Sequence, residues 1–345
     1  MAHFSIAVIP GDGVGQEVIP EALRVLDAVA KLDYTHFDWG SEYYLHHGRM
    51  MPADALDTLR KFDAILLGAI GHPDIPDHIT LNGLLLPIRR AFDQYSNIRP
   101  AMLYPGVASP LANAGPIDMV VVRENTEGEY AQVGGFLYHH QPEEVAIQTA
   151  VFTRRGIERV VRHAFELARK RNGKRKVTSI TKSNAQGFGM VLWDRTFAKV
   201  AAEFPDIDTD SLLVDAAAMN FVRRPASFDV VVGSNLFGDI LSDLSAVITG
   251  SIGLAASANL DPTRQHPSMF EPVHGSAPDI AGRGIVNPLA MILSAAMMLD
   301  HLGIENGIEP AVAAVLAEGK IRTPDLGGTS STREVGNAVL ERIGR

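Results

Sequence analysis

Asp239 and Asp243, four residues apart in Asn235-Leu236-Phe237-Gly238-Asp239-Ile240-Leu241-Ser242-Asp243-Leu244, carry the most telling spacing in this chain. In a helix, positions i and i+4 share a face, so both carboxylates leave one patch. Like charges at that spacing repel by roughly a few tenths of a kcal/mol. A hard divalent cation, Mg²⁺ or Mn²⁺, removes the repulsion and keeps coordination sites open for substrate oxygens. The alternative is a solvated first turn, where acids suit the helix dipole, and spacing alone does not choose between them.

Other residues fit the same chemistry. Arg89, Arg99 and Arg123 sit near turns and strand ends. Guanidinium forks grip carboxylates at two points, so three of them suit a dicarboxylate, although any one alone reads more simply as a surface ion pair. Lys182, in Ile180-Thr181-Lys182-Ser183-Asn184, and Tyr130, after Glu127-Gly128-Glu129, are candidate proton handlers. A lysine beside cations can lose its proton near neutrality and act as a base. Asp215 follows the apolar run Leu212 to Val214, read as a strand. It is a third metal ligand or a helix cap. The loop Glu271-Pro272-Val273-His274-Gly275-Ser276-Ala277-Pro278-Asp279-Ile280-Ala281-Gly282 is stiffened by proline and opened by glycine. Asp279 can accept hydrogen bonds from a ribose, and His274 is a ligand contact or a satisfied loop histidine.

The elements that must position these groups read as an α/β protein. Strands are expected at Phe4 to Ile9, Ala64 to Leu67, Met119 to Val122, Lys176 to Ile180, Leu212 to Val214 and Val230 to Val232. Helices are expected at Gln16 to Ala30, Arg155 to Arg171, Trp193 to Phe204 and Phe237 to Ile248. The alternation argues a largely parallel sheet, with Pro100 to Pro116 as the best domain crossover. Gly11, Gly13 and Gly15 follow the first strand, but Gln16 breaks G-x-G-x-x-G, so an ordinary Rossmann loop is disfavoured. That turn is expected to let backbone approach a ligand.

Composition narrows the classes. At 345 residues, the chain is expected to hold two domains. It has no cysteine, which excludes disulfides, thiolate metal sites and cysteine nucleophiles and suits a reducing, cytoplasmic interior. Met1-Ala2-His3-Phe4-Ser5 does not read as a signal peptide. Pro288 to Leu299 is too short to span a bilayer and reads as a buried helix, placed if need be in a subunit interface. A net charge of -9 argues against a general nucleic-acid binder.

Taken together the motifs resemble the β-hydroxyacid oxidative decarboxylases: isopropylmalate, isocitrate, homoisocitrate and tartrate/D-malate dehydrogenases. The resemblance runs from Ile9-Pro10-Gly11-Asp12-Gly13-Val14-Gly15 through Asn97-Ile98-Arg99-Pro100 and Val122-Arg123-Glu124-Asn125-Thr126-Glu127-Gly128. It continues through Asn235-Leu236-Phe237-Gly238-Asp239 to His274-Gly275-Ser276-Ala277-Pro278-Asp279. It implies an isopropylmalate dehydrogenase-like α/β fold with a central mixed sheet and helices on both faces. Residues 1–99 with 254–345 would form the large, cofactor-side domain and 100–253 the small one. A clasp arm near Gly134 to Val145 would join a homodimer. Arg89, Arg99 and Arg123 would bind substrate carboxylates. Asp239 and Asp243 would hold Mg²⁺ or Mn²⁺ with Asp215 of the partner subunit. Lys182 would also come from the partner, and Tyr130 from the first subunit. NAD would lie on His274, Gly275, Ser276, Ala277, Pro278, Asp279 and Ile280, with Asn287 beside the adenine. The acidic Asp279 favours NAD over a cofactor carrying a 2′-phosphate.

Substrate choice would rest on the stretch before Arg89. Gly83 and Leu85 stand where isocitrate enzymes place Ser and Asn, so isocitrate is disfavoured. Leu85 and Leu86 match an apolar pocket, and Asn82 departs from both the acidic residue of many isopropylmalate enzymes and the Trp of tartrate/D-malate enzymes. Further shared segments, among them Val151-Phe152-Thr153-Arg154-Arg155-Gly156, incline the reading to D-malate or tartrate, with 3-isopropylmalate the alternative. A non-catalytic regulatory relative is the second class.

Overall fold

The computed structural model describes residues 3–343. Met1 and Ala2, part of the stretch read for a leader, lie outside the described residues. Among the described residues twelve strands are formed: β1 (Phe4–Gly11), β2 (Leu32–His36), β3 (Ala64–Ala69), β4 (Ser96–Met102), β5 (Asp118–Glu124), β6 (Gly128–Leu137), β7 (Val145–Val151), β8 (Lys176–Thr181), β9 (Asp208–Leu213), β10 (Val230–Gly233), β11 (Ala256–Leu260) and β12 (Ser268–Pro272). Ten of them make one sheet in the order β2-β1-β3-β12-β11-β4-β5-β10-β8-β9. Each flank is parallel, while β12-β11, β11-β4 and β4-β5 pair antiparallel. The sheet is therefore mixed, as the resemblance implied, and less parallel than strand–helix alternation suggested. β4 straddles the boundary expected at residue 99.

Central strands carry continuous apolar runs because helices cover both faces. Ala64–Ala69 is buried throughout, as is Val230–Gly233. The helix Leu289–Leu302 is buried nearly all round and packs on β11 and β12 of its own chain, so no subunit interface is needed to explain it. The helix Arg154–Arg171 starts at Thr153, whose hydroxyl accepts from Gly156 N–H, and ends on Arg169, Lys170 and Arg171. Those charges suit the helix dipole.

The glycine turn is shaped by its own chain. Gly11 has φ +69°, and a Cβ there would lie 2.0 Å from the Ala69 carbonyl oxygen. Gly13 has φ +51°, and its Cβ would lie 2.1 Å from Ser276 O. Both glycines admit the chain's own backbone. Asp12 ties the knot, accepting from Ser41 N–H, Ser41 Oγ–H and Gly71 N–H. Val14 N–H donates to Ser276 O at 2.9 Å and ties the loop 274–280 to this turn.

A correction concerns Asp215. The strand ends at Leu213, and Val214–Arg223 is helical, so Asp215 occupies a helical first turn. Finally, β6 and β7 form a separate antiparallel hairpin with Phe136, Leu137 and Ile147 more than half exposed.

Candidate active site

The register of β4 and β5 sets the arginines. Asn97 pairs with Arg123 and Arg99 with Val121, so Arg99 and Arg123 are diagonal neighbours on one sheet face. The helix Asn235–Ile248 packs on that face. It is capped by Ser234, whose hydroxyl also donates to Glu129 Oε1 at 2.8 Å. Asn235, Asp239 and Ser242 recur at i, i+4 and i+7, a polar stripe turned toward the arginines.

All three stripe residues are engaged. Arg123 is buried; its Nε and Nη2 donate to Asn235 Oδ1 at 2.9 and 2.7 Å, and Nη1 donates to Asp239 Oδ1. Arg99 Nη1 donates to Ser242 Oγ at 2.7 Å and Asp239 Oδ1 at 3.1 Å, and lies 3.6 Å from Asp243. Arginine thus supplies the positive charge between the two aspartates. Tyr130 O–H donates to Asp239 Oδ2 at 2.8 Å while its ring lies beneath Arg123.

Arg89 arrives from another element, the helix Leu86–Ala91. Before it, Leu81–Leu85 winds as one π-helical segment, a feature common at functional sites. Arg89 Nη2 donates to Glu271 Oε1 at 2.7 Å, and Asn259 also donates to that oxygen. Arg89, Arg99, Arg123, Tyr130 and Asp239 line one cleft with Leu85, Leu86 and His274. Asn82 does not line it; its amide is exposed and donates to His78 O.

Burial and charge tune the groups. Burial pulls Arg123 down to about 10, opposed by Asp239 and helped by Arg99 and Arg89. Burial works to raise Asp239, yet Arg123 and Arg99 outweigh it and the net shift is downward. Asp243 moves the other way, raised by burial with only Arg99 opposing strongly. Burial and the Asp239 carboxylate raise the Tyr130 hydroxyl, keeping it protonated.

Lys182 and Asp215 stand apart. They follow neighbouring parallel strands, where Thr181 is in register with Leu213, so their side chains meet at 2.8 Å. Two strand spacings, about 10 Å, separate the β8 end from β5. Neither residue lines the cleft, and Asp215 does not gather with Asp239 and Asp243 among the described residues.

The loop after β12 borders the cleft. His274 Nε2 is buried without a partner, and burial lowers its pKa. Nothing lies within 4 Å of a Cβ placed on Gly275. Ala277 takes φ +40°, Ser276 is buried, and Pro278 and Asp279 are exposed. Ile280 packs partly against the core. Asn287 is buried with both amide ends engaged: Oδ1 accepts from Leu289 N–H and Nδ2 donates to Asp325. Sequence reading gave no role to Glu271, Asn235, or Arg90, which holds the Tyr130 carbonyl at 2.6 Å. The polar stripe was visible in the sequence; Glu271's partner, 182 positions away, was not.

Residues 5–339 match the family described as isocitrate/isopropylmalate dehydrogenase. A probable tartrate dehydrogenase/decarboxylase of Agrobacterium vitis is 52% identical, covering 99% of this chain and 97% of its own. A D-malate dehydrogenase [decarboxylating] of Escherichia coli K12 is 51% identical, with 99% of each chain covered. The crystal structure of isocitrate dehydrogenase from Methylococcus capsulatus superposes with TM-score 0.90 at 37% identity, covering 98% of this chain and 99% of that one. The chain belongs to the isocitrate/isopropylmalate dehydrogenase family.

Proposed function

We propose that this protein oxidatively decarboxylates a small 2-hydroxy dicarboxylic acid, D-malate or tartrate, with NAD and Mg²⁺ or Mn²⁺. The observation that carries the reading is the convergence of Arg99, Arg123 and Tyr130 on Asp239, with Arg89 lining the same cleft. Three guanidiniums there face three carboxylates, Asp239, Asp243 and Glu271. The protein groups therefore balance, and a divalent cation is matched by a dicarboxylate. The names of the relatives point to the same substrates.

The donor set fits the cation. Asp243 pairs with Arg99 at 3.6 Å and its side chain is 58% exposed, leaving hard oxygen donors one helical turn from Asp239. Asp239 and Asp243 would hold the ion with Asp215 of the partner subunit. The unpartnered His274 Nε2 and the open space at Gly275 fit NAD along 274–280. When bound, the cation supplies Lewis acidity at the substrate oxygens and NAD the hydride acceptor.

The chain's own groups do the rest. The arginines orient both carboxylates and retain the one that departs as CO₂. Lys182 of the partner subunit takes the C2 hydroxyl proton. Tyr130 keeps its proton until C3 needs it, which its raised pKa favours. Leu85 and Leu86 wall the remaining side of the cleft. D-malate would leave as pyruvate, CO₂ and NADH.

Support for a homodimer comes from surface left bare. A lone hairpin is marginal in water, and this one exposes Phe136, Leu137 and Ile147. Met219 and Val222 on Val214–Arg223, with Ile240 and Val247 on the adjoining Asn235–Ile248, add apolar surface. The parallel flank β2-β1-β3-β12 with β11 would form the large domain, and the β5-β10-β8-β9 flank the small one, with β4 as the join. No helix among the described residues is long and apolar enough to cross a membrane. A cytoplasmic enzyme is the reading we favour.

NADH absorbance tests the proposal, with Mn²⁺, NAD and a panel of D-malate, tartrate, 3-isopropylmalate and isocitrate. Turnover of D-malate or tartrate is expected. Preference for 3-isopropylmalate would overturn the substrate, and turnover of none would favour the regulatory alternative.

A further inference from the structure

We propose that the tip of the β6–β7 hairpin binds a borderline divalent transition ion, of which zinc is the type, through His139, His140 and Glu144. One ligand atom from each of these side chains lies within 4.8 Å of the other two. His139 Nδ1 is 2.5 Å from Glu144 Oε1, and the two imidazoles lie 3.7 Å apart between centroids. Consecutive side chains in extended backbone point to opposite sides. Here they share a side because the chain is folded to make them do so.

The folding of the tip is specific. Tyr138 and His140 take φ +52° and +63°, a region unfavourable for residues with a Cβ. Two turns follow in succession, Gln141 N–H to Tyr138 O and Glu144 N–H to Gln141 O. They return Glu144 to His139 across Pro142. The Phe136 ring lies 4.6 Å from His139 and holds its imidazole. No lysine or arginine occurs from 128 to 151, so Glu144 meets no stronger cation within the hairpin.

The donor set selects the metal. Two imidazole nitrogens and one carboxylate oxygen suit zinc, cobalt or nickel, with water completing a tetrahedron. Magnesium and manganese favour oxygen donors, which the Asp239–Asp243 patch supplies. An ion at the tip would replace the His139–Glu144 contact and pin the two ends of the turn together. This site does not rest on the proposed reaction.

Calorimetric titration with Zn²⁺ tests it on the full chain carrying Asp215→Asn and Asp243→Asn, with excess Mg²⁺ present. Those two exposed substitutions disable the competing carboxylate site while leaving the Arg123–Asp239 pair intact. One zinc per chain is expected, binding in the micromolar range. Adding His139→Ala and His140→Ala should weaken it at least tenfold, and the isosteric Glu144→Gln should weaken it less. Zinc K-edge absorption should report two imidazoles and one carboxylate oxygen. No binding, or binding unchanged without the two histidines, would overturn the proposal.

Discussion

Arg123–Asp239 and Lys182–Asp215 are both pairs of opposite charge, yet they belong to different kinds of place. Arg123 is buried, its guanidinium spread over Asn235 and Asp239, with Tyr130 closing the group. Lys182 and Asp215 meet once, at a sheet edge, and the Asp215 side chain is 62% exposed. The first pair is part of how the chain folds. The second contributes little to folding and is available to something else. The comparison teaches that one chain finishes its arginine wall by itself and leaves Lys182 and Asp215, the proton acceptor and third acid we propose, facing outward.

Substitutions at each pair should break in different ways. Arg123→Ala leaves Asn235 Oδ1 without its partner and Asp239 held only by Arg99 and Tyr130. It should abolish turnover and cost roughly 3 kcal/mol in denaturant unfolding. Lys182→Ala should lower kcat at least about a hundredfold, the usual scale for a lost general base, while unfolding moves by under about 1 kcal/mol. A large stability loss at Lys182 would erase the distinction. Tyr130→Phe keeps the ring under Arg123 and removes only the hydroxyl. A kcat loss of about a hundredfold with KM little changed is the expectation.

The two aspartates sharpen the contrast through pH. Asp239 has a depressed pKa, so its ionised form stabilises the fold above the unfolded carboxylate value, about 4, and that stability fades as pH falls through the folded value. Asp243 is raised, so the folded state holds its proton more tightly, and ionisation subtracts stability as pH rises. Asp243→Asn should therefore leave stability at neutral pH unchanged or slightly higher while removing metal-dependent turnover. The smallest effect expected is at the cofactor loop: Asp279→Lys with Ile280→Tyr should shift kcat/KM toward NADP without altering unfolding. Unchanged cofactor preference would count against that loop.

Much of this was readable before folding. Long apolar strands and periodic helices were legible because burial on both faces writes continuous runs, as in Val230–Gly233. The Asp215 boundary was not, because Leu212, Leu213 and Val214 read as one apolar strand although the helix starts at Val214. What Gly11 and Gly13 make room for, Ala69 and Ser276 far along the chain, was not legible either, because spacing cannot say what approaches. The π-helical segment at Leu81–Leu85 has no side-chain period of its own to read. The arginines were legible as residue types, but their convergence depends on the β4–β5 register.

Hybrid dimers put the division of labour to its most direct test. Lys182→Ala and Asp239→Asn chains are each expected to be inactive alone. Mixed in equal amounts and allowed to exchange subunits, half the dimers should be hybrids with one intact site in two, returning about a quarter of wild-type turnover of D-malate. A mixture that exchanges subunits and stays inactive would place Lys182 in its own chain's site and contradict the account.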